Sequence, residues 1–306
     1  MDLSIVSTLY CSAPYLREFY VRIKSEALKI THDYELVLVN DGSPDDSLDI
    51  ALALYHADRR VRVIDLSRNF GQHKAIMTGL EHARGRRVFL IDCDLELDPE
   101  LLGRFSVELD KSDADVVYGV VEKRKGGFLE RLTGALFYKL FNSLSSYPIP
   151  ENVTVARLMT RRYVASLVQH RDREAFIAGL WAITGFKQLL VMVKKRDKGK
   201  TTYSMARRIS MAVDGITSFS NRPLFLVFYL GGGIAMISSV AALALILRVI
   251  LFGQLLQGWP SLIVSVWLLG GLVLLCVGVV GIYLAKVFME TKQRPYTVVR
   301  EIYERN

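Results

Sequence analysis

Two long stretches without a charged residue constrain this chain more than any other feature: Leu224 to Leu247 and Ser261 to Ala285. At about 1.5 Å per residue in a helix, each is long enough to cross a hydrocarbon core of ~30 Å. The core helix of a water-soluble domain rarely runs so far without polarity, so both are read as transmembrane helices. Gly231, Gly232, Gly233, Gly270, Gly271, Gly278 and Gly281 fit close helix packing in lipid. Trp259 and either Tyr229 or Tyr283 suit the interfaces. The link from Val249 to Pro260 carries no charge, and Arg248 beside it is read as snorkelling outward. Arg207, Arg208 and Arg222 precede the first span, while Lys286, Lys292, Arg294 and Arg300 follow the second. Basic flanks on both outer ends predict a hairpin whose two ends lie in the cytoplasm. Met1-Asp2-Leu3-Ser4 lacks a basic n-region and the apolar run after it is short, so no signal peptide is expected.

The part before the spans reads differently. Leu3 to Leu9, Glu35 to Asn40, Val61 to Leu66, Val88 to Ile91 and Asp115 to Val121 are short apolar runs with the length of strands. Helix-like stretches separate the first four, one opening at Pro14 and running to about Leu28, another ending near Ala83. This alternation predicts βαβ units, and hence an α/β fold with a mostly parallel twisted sheet and flanking helices. Strong turn chemistry follows the second run, at Asn40-Asp41-Gly42-Ser43-Pro44. Asp45 and Asp46 then sit at a helix start, where the dipole favours acids.

The fourth run leads straight into Asp92-Cys93-Asp94. A buried unpaired carboxylate is costly, so the strand must end there and release both acids at its carboxyl edge. In open α/β sheets that edge binds ligands. Two closely spaced carboxylates suit a hard divalent cation that completes its shell with phosphate oxygens and water. Asp98-Pro99-Glu100 reads instead as an ordinary helix start. No G-x-G-x-x-G follows the first strand and no P-loop pattern occurs, which argues against a dinucleotide-binding enzyme and a P-loop NTPase. The three cysteines, Cys11, Cys93 and Cys276, have no ligand spacing and suggest neither disulfides nor zinc. His73 reads as a polar residue at a helix start.

Four motifs in order carry a resemblance. Asn40-Asp41-Gly42-Ser43, Arg68-Asn69-Phe70-Gly71, Asp92-Cys93-Asp94-Leu95-Glu96 and Arg157-Leu158-Met159 resemble family 2 glycosyltransferases of the GT-A fold. The similarity is to the polyprenyl-phosphate glycosyltransferases, among them dolichyl-phosphate mannose synthases and bactoprenol glucosyltransferases. It covers nearly the whole chain, since members often carry carboxyl-terminal membrane helices. The resemblance implies a nucleotide-sugar donor, Mg2+ or Mn2+, and inversion at the anomeric carbon. It implies Thr8, Tyr10, Asp41, Arg68, Asp92 and Asp94 as the nucleotide-sugar site, with Asp92 and Asp94 as the metal ligands and Asp94 also catalytic. Two departures stand out. The stretch Thr8 to Ala13 lacks the glutamate many relatives have, and Asn152 to Ala156 lacks the acid that often precedes Arg-Leu-Met.

A missing base fits one kind of acceptor. A sugar hydroxyl needs a base to attack. A phosphate monoester has a second pKa near ~6 and is mostly dianionic at neutral pH, so it can attack without losing a proton. Basic segments supply partners for it: Lys123 to Gly127, Arg157 with Arg161 and Arg162, Lys194 to Lys200, and Arg207 with Arg208. Arg157 is the foremost candidate for the acceptor phosphate and counts as catalytic, because a guanidinium binds phosphate in bidentate fashion. Arg124, Lys200 and Arg207 join it as acceptor-phosphate candidates. Such residues also suit anionic headgroups, at about 1 kcal/mol each near the bilayer. Phe128 to Leu144 has apolar residues at helical spacing, fitting a core-facing helix or one lying in the membrane interface.

The expected organisation is a cytoplasmic GT-A domain over 1–202, basic amphipathic juxtamembrane helices over 203–222, two transmembrane helices over 223–288 and a cytoplasmic tail over 289–306. The expected activity is transfer of a sugar, glucose from UDP-glucose as the first choice, to undecaprenyl phosphate at the cytoplasmic leaflet of the inner membrane, in cell-envelope synthesis. GDP-mannose or a UDP-amino sugar is the alternative donor. A polysaccharide synthase would need more spans and a motif such as Gln-x-x-Arg-Trp, and a non-catalytic membrane scaffold would leave Asp92 and Asp94 incidental. The expected partners are the nucleotide sugar, the polyprenyl phosphate and the bilayer, with no nucleic acid; a homo-oligomer is left open.

Overall fold

The computed structural model describes residues 1–121, 152–172, 177–196, 222–252 and 258–305. The chain opens with β1 (Leu3–Leu9), α1 (Ala13–Ile30), β2 (Tyr34–Asn40), α2 (Ser47–Ala57), β3 (Val61–Leu66), α3 (Gln72–His82), β4 (Arg87–Leu90), α4 (Leu101–Lys111) and β5 (Val116–Val121). After the stretch 122–151 come β6 (Val153–Thr160), α5 (Arg161–Leu167), α6 (Ile177–Ile183) and β7 (Gln188–Val193). Two long helices, α7 (Arg222–Phe252) and α8 (Trp259–Thr291), precede a last strand, β8 (Val299–Tyr303).

The eight strands form one sheet in the order β7-β5-β6-β4-β1-β2-β3-β8. Pairing is parallel except where β6 meets β4 and β5 and where β8 meets β3. The strand order reverses at β1. From there β2 and β3 build to one side and β4 to the other. Right-handed crossovers then force α3 onto the opposite face from α1 and α2. Strand residues alternate accordingly. Leu36 and Leu38 pack with Leu16, Phe19, Ile23, Ala51 and Phe105 on one face. Val37 and Val39 pack with Ile76, Leu80, Tyr163 and Trp181 on the other. Each such fully buried large apolar side chain contributes about 1.5–3 kcal/mol.

The chain end departs from the sequence expectation. The segment 289–306, expected as a tail, supplies β8, whose Ile302 pairs with Ile64 and Glu301 with Asp65. Arg62, already paired with buried Glu35 at 2.7 Å, also holds Glu304 at 2.6 Å, so the chain end is tied to the sheet beyond its backbone ladder. The sheet domain therefore includes residues far beyond 202. Strands β6 and β7 had no counterpart in the apolar-run reading. The helix expected over Phe128 to Leu144, and the candidates Arg124, Lys200 and Arg207, lie outside the described residues. Among the described residues one helical stretch, Ser265–Thr291, is long and apolar enough to cross a membrane, with mean hydropathy 2.5 and none of its most apolar window buried. The apolar stretch at the start of α7, Arg222–Ser238, is shorter.

Candidate active site

The carboxyl ends of β1, β2, β3 and β4 lie side by side, and the switch point falls between β1 and β4. Crevices outside such a point are where open α/β sheets bind ligands. Each of these strands ends in a polar loop, so the residues singled out by motif meet at one edge.

Asp41 leaves β2 with its N–H bonded to the Leu9 carbonyl at 3.0 Å. Its buried carboxylate accepts the backbone N–H groups of Phe70 at 2.7 Å and Gly71 at 3.0 Å. Burial pushes the Asp41 carboxyl up, against the two N–H donors and Arg68, which favour its charge. Asp41 thus clamps the β2 exit to the β3 exit. The clamp demands a glycine beside it. Gly42 has φ +58°, and a Cβ there would stand 2.5 Å from backbone atoms of Arg68 and Asn69. Arg68 is exposed, stacks on the Phe70 ring at 4.1 Å and donates to the Asn69 carbonyl.

The β1 exit is held as tightly. Cys11 takes a left-handed φ of 52°, and its N–H donates to Ser43 Oγ at 2.8 Å. Thr8 is partly exposed and Tyr10 exposed at this loop. Asp45 accepts the Ala13 N–H at 3.0 Å and the hydroxyls of Ser43 and Ser47, joining the starts of α1 and α2. Burial pushes against its charge, but these hydrogen bonds outweigh it and hold the carboxyl at about 2. Only its position at a helix start was visible beforehand; its contacts join the loop after β2 to the loop after β1.

Asp92 and Asp94 follow β4, partly exposed, with Cys93 buried between them. Burial, then the neighbouring charge of Asp94, pushes the Asp92 carboxyl up to about 7. Gln72 Nε2 donates to Asp92 Oδ1 at 2.9 Å, and Asp94 Oδ1 accepts the Glu96 N–H at 3.0 Å. Glu96 pairs with Lys195, which brings a cation from the exit of β7 to this corner. Gln72 and Lys195 escaped the motif reading; Lys195 showed only as part of a charge run. Burial pushes the Cys93 thiol up to about 12, so it is neutral at physiological pH.

A carboxylate whose proton affinity is raised by burial and by a neighbouring acid is what a divalent cation relieves, so Asp92 with Asp94 beside it fits the expected Mg2+ or Mn2+. Among the described residues no cluster of three or more His, Cys, Asp or Glu side chains is placed to hold a metal. The pair would leave the remaining coordination to diphosphate and water.

Arg157 is buried on the strand next to the one that leads into Asp92. It lies opposite Leu90 of β4 and Tyr118 of β5, and is 1% exposed. Its guanidinium stacks on Trp181 and donates to the carbonyls of Val155 and Thr154, both at 3.3 Å. Burial pulls it down to about 9. The structure brings Thr8, Tyr10, Asp41, Arg68, Asp92 and Asp94 to one sheet edge, and sets Arg157 beneath α6, inside the fold.

Comparison with known proteins gives the following matches. The family model described as glycosyl transferase family 2 matches residues 4–167. A protein of Mycobacterium tuberculosis named as a glycosyltransferase is 54% identical over 303 residues, covering 99% of this chain and 89% of the relative. The prophage bactoprenol glucosyl transferase homolog of Escherichia coli is 34% identical, covering 99% of both chains. The bactoprenol glucosyl transferase of Shigella phage SfX is 34% identical, covering 98% of this chain and 99% of its own.

Proposed function

We propose a membrane-surface sugar transfer for this chain, which belongs to glycosyl transferase family 2: an inverting transfer of glucose from UDP-glucose to a polyprenyl phosphate. The fold is GT-A-like and the chain is a glycosyltransferase. The choice of acceptor and of glucose is supported by the two relatives named as bactoprenol glucosyl transferases, which align over almost the whole chain.

The observation that carries the reading is a coincidence of edges. Ser67, at the exit of β3, donates its N–H to the Val298 carbonyl at 2.9 Å, only seven residues beyond the end of α8. The apolar helix therefore returns the chain to the same sheet edge that bears Asp92 and Asp94. A membrane at the end of α8 would lie next to that edge, where a lipid phosphate presents its headgroup. The position of β8 also supports two crossings. It pairs with β3 of the amino-terminal domain, so the chain must cross an even number of times between them. With Ser265–Thr291 as one crossing, α7 is the available second.

The chemistry needs little from the protein. A phosphate oxygen of the acceptor forms the new bond to the anomeric carbon as the bond to the nucleoside diphosphate breaks, and no proton is released when the acceptor is dianionic. Asp92 and Asp94 would hold Mg2+ or Mn2+, whose charge neutralises the departing diphosphate. The Asp41 clamp and Gly42 shape the loops against which the nucleotide would lie. Lys195 adds positive charge at the diphosphate end.

The deciding experiment is a panel of UDP-glucose, GDP-mannose and UDP-amino sugars with undecaprenyl phosphate and the purified full-length protein. Turnover with UDP-glucose, lost with EDTA and restored by Mn2+ or Mg2+, is expected. Turnover only with another donor would move the sugar assignment, and no turnover with any donor would overturn undecaprenyl phosphate as the acceptor.

A further inference from the structure

Arg300 follows the apolar helix and, by position in sequence, is one more basic flanking residue. In the fold it does something else. Strand β8 carries it to the carboxyl ends of β2 and β3. There its guanidinium donates to Asp65 Oδ2 at 3.1 Å and to the Ser67 carbonyl at 2.8 Å. Asp65 is 1% exposed, and among the described residues Arg300 is its cationic partner. The other oxygen of Asp65 accepts the Asn40 side-chain amide at 2.7 Å. Buried Asn40 turns its own side-chain carbonyl to the Ser43 N–H at 3.2 Å. Ser43 Oγ then accepts the Cys11 N–H. One continuous line of hydrogen bonds runs from the last strand through β3 and β2 to the exit of β1.

We infer that Arg300 is a positioning residue for the nucleotide-binding corner: through Asp65 and Asn40 it fixes the turn bearing Asp41, and through Ser67 it fixes the loop bearing Arg68. The inference rests on reading that corner as the nucleotide site. Arg300 touches no substrate. Its side chain is largely solvent-exposed, so solvent screens the Arg300 end of the pair. Its loss is felt at Asp65, a buried carboxylate left without its counter-charge and tied directly to Asn40. The apolar core on both faces of the sheet is untouched by the change. A determinant of donor affinity thus lies in sequence on the far side of the membrane helices from every nucleotide-binding motif.

The test uses full-length protein in detergent, with UDP and GDP, each with Mn2+, as the titrated probes. Removing a charge-assisted hydrogen bond predicts that Arg300→Ala binds the nucleotide favoured by the wild type roughly tenfold more weakly. The donor KM rises in proportion, while kcat stays within about twofold, as expected for a lost interaction common to ground and transition states. Arg300→Lys recovers part, since a point-charge ammonium lacks the fork that reaches Asp65 and Ser67 together. The pair Asp65→Asn with Arg300→Gln binds better than Arg300→Ala, because no uncompensated charge remains. A folded Arg300→Ala with wild-type nucleotide affinity, or with a loss confined to kcat, overturns the inference. Should Arg300→Ala fail to fold, wild-type affinity in Arg300→Lys overturns it equally. Wild-type protein that binds neither nucleotide overturns the nucleotide-site reading itself, and this inference with it.

Discussion

Gln72 donates its side-chain amide to Asp92 Oδ1 at 2.9 Å, so the first residue of α3 orients the first carboxylate after β4. Contacts of this kind set ligand geometry, and their loss typically costs about 10–100-fold in metal affinity or activity. Gln72→Ala is therefore expected to need at least about tenfold more Mn2+ or Mg2+ for half-maximal transfer. Asp94→Ala should abolish transfer at any metal concentration. A metal-activation titration on EDTA-stripped protein checks both. Full activity of Asp94→Ala in metal-free buffer would remove the carboxylate pair from the reaction.

Asp45 gives a pH dependence of known sign. Its folded carboxyl is held at about 2, below the ordinary value of 3.8, by hydrogen bonds that overcome the effect of burial. A depressed carboxylate stabilises the fold above its unfolded value, and this contribution disappears as pH falls through the folded one. Partial exposure reduces the effect, leaving roughly 1–2 kcal/mol at neutral pH. Asp45→Asn should melt lower than wild type at pH 7, and the two melting curves should converge between about pH 4 and pH 2. Curves that stay parallel across that window would show that Asp45 is not the group responsible.

Arg157→Ala separates two roles. A guanidinium stacked on Trp181 under α6 leaves a cavity and stranded carbonyls when removed, at a cost of about 3 kcal/mol. The expected result is a clearly lowered melting temperature, with donor and lipid turnover falling together. If Arg157 instead holds the acceptor phosphate, the variant should stay stable and lose lipid turnover selectively. Melting temperature, donor affinity and lipid turnover measured on one preparation distinguish these.

The proposed hairpin predicts where reporters emerge. One fused after Asn306 and one inserted at Gln254 should lie on opposite sides of the membrane. The carboxyl-terminal reporter should share its side with the amino-terminal domain, because β8 is built into that domain's sheet. Equal accessibility of both reporters from the cytoplasm would refute the hairpin.

What the sequence alone determined is local. The apolar runs that became β1 to β5 are visible because a strand buried on both faces needs little but contiguous apolar residues. Asp92 and Asp94 were placed correctly at a strand end because carboxylates do not stay in a core unpaired. The apolar helix over Ser265–Thr291 needed only length and composition to be found. The loops at Asn40 and Arg68 were legible as turns and as motifs, but not as partners. That Asp41 clamps Phe70 and Gly71, that Gln72 reaches Asp92, and that Asp45 joins two helix starts depends on which strands stand side by side. Strand β8 was hidden for the same reason. Val299-Arg300-Glu301-Ile302-Tyr303 is short and mostly exposed, and its partner β3 lies more than 230 residues earlier. Arg157 shows the sharpest difference. Its residue type suits a phosphate, but a side chain's surroundings are made by neighbours from other elements, here Trp181 above it and the β4 and β5 strands beside it. Sequence spacing carries no record of those neighbours, so only the tertiary structure decided that this arginine is buried and that Arg300, from beyond the two long helices, reaches Asp65 and Ser67.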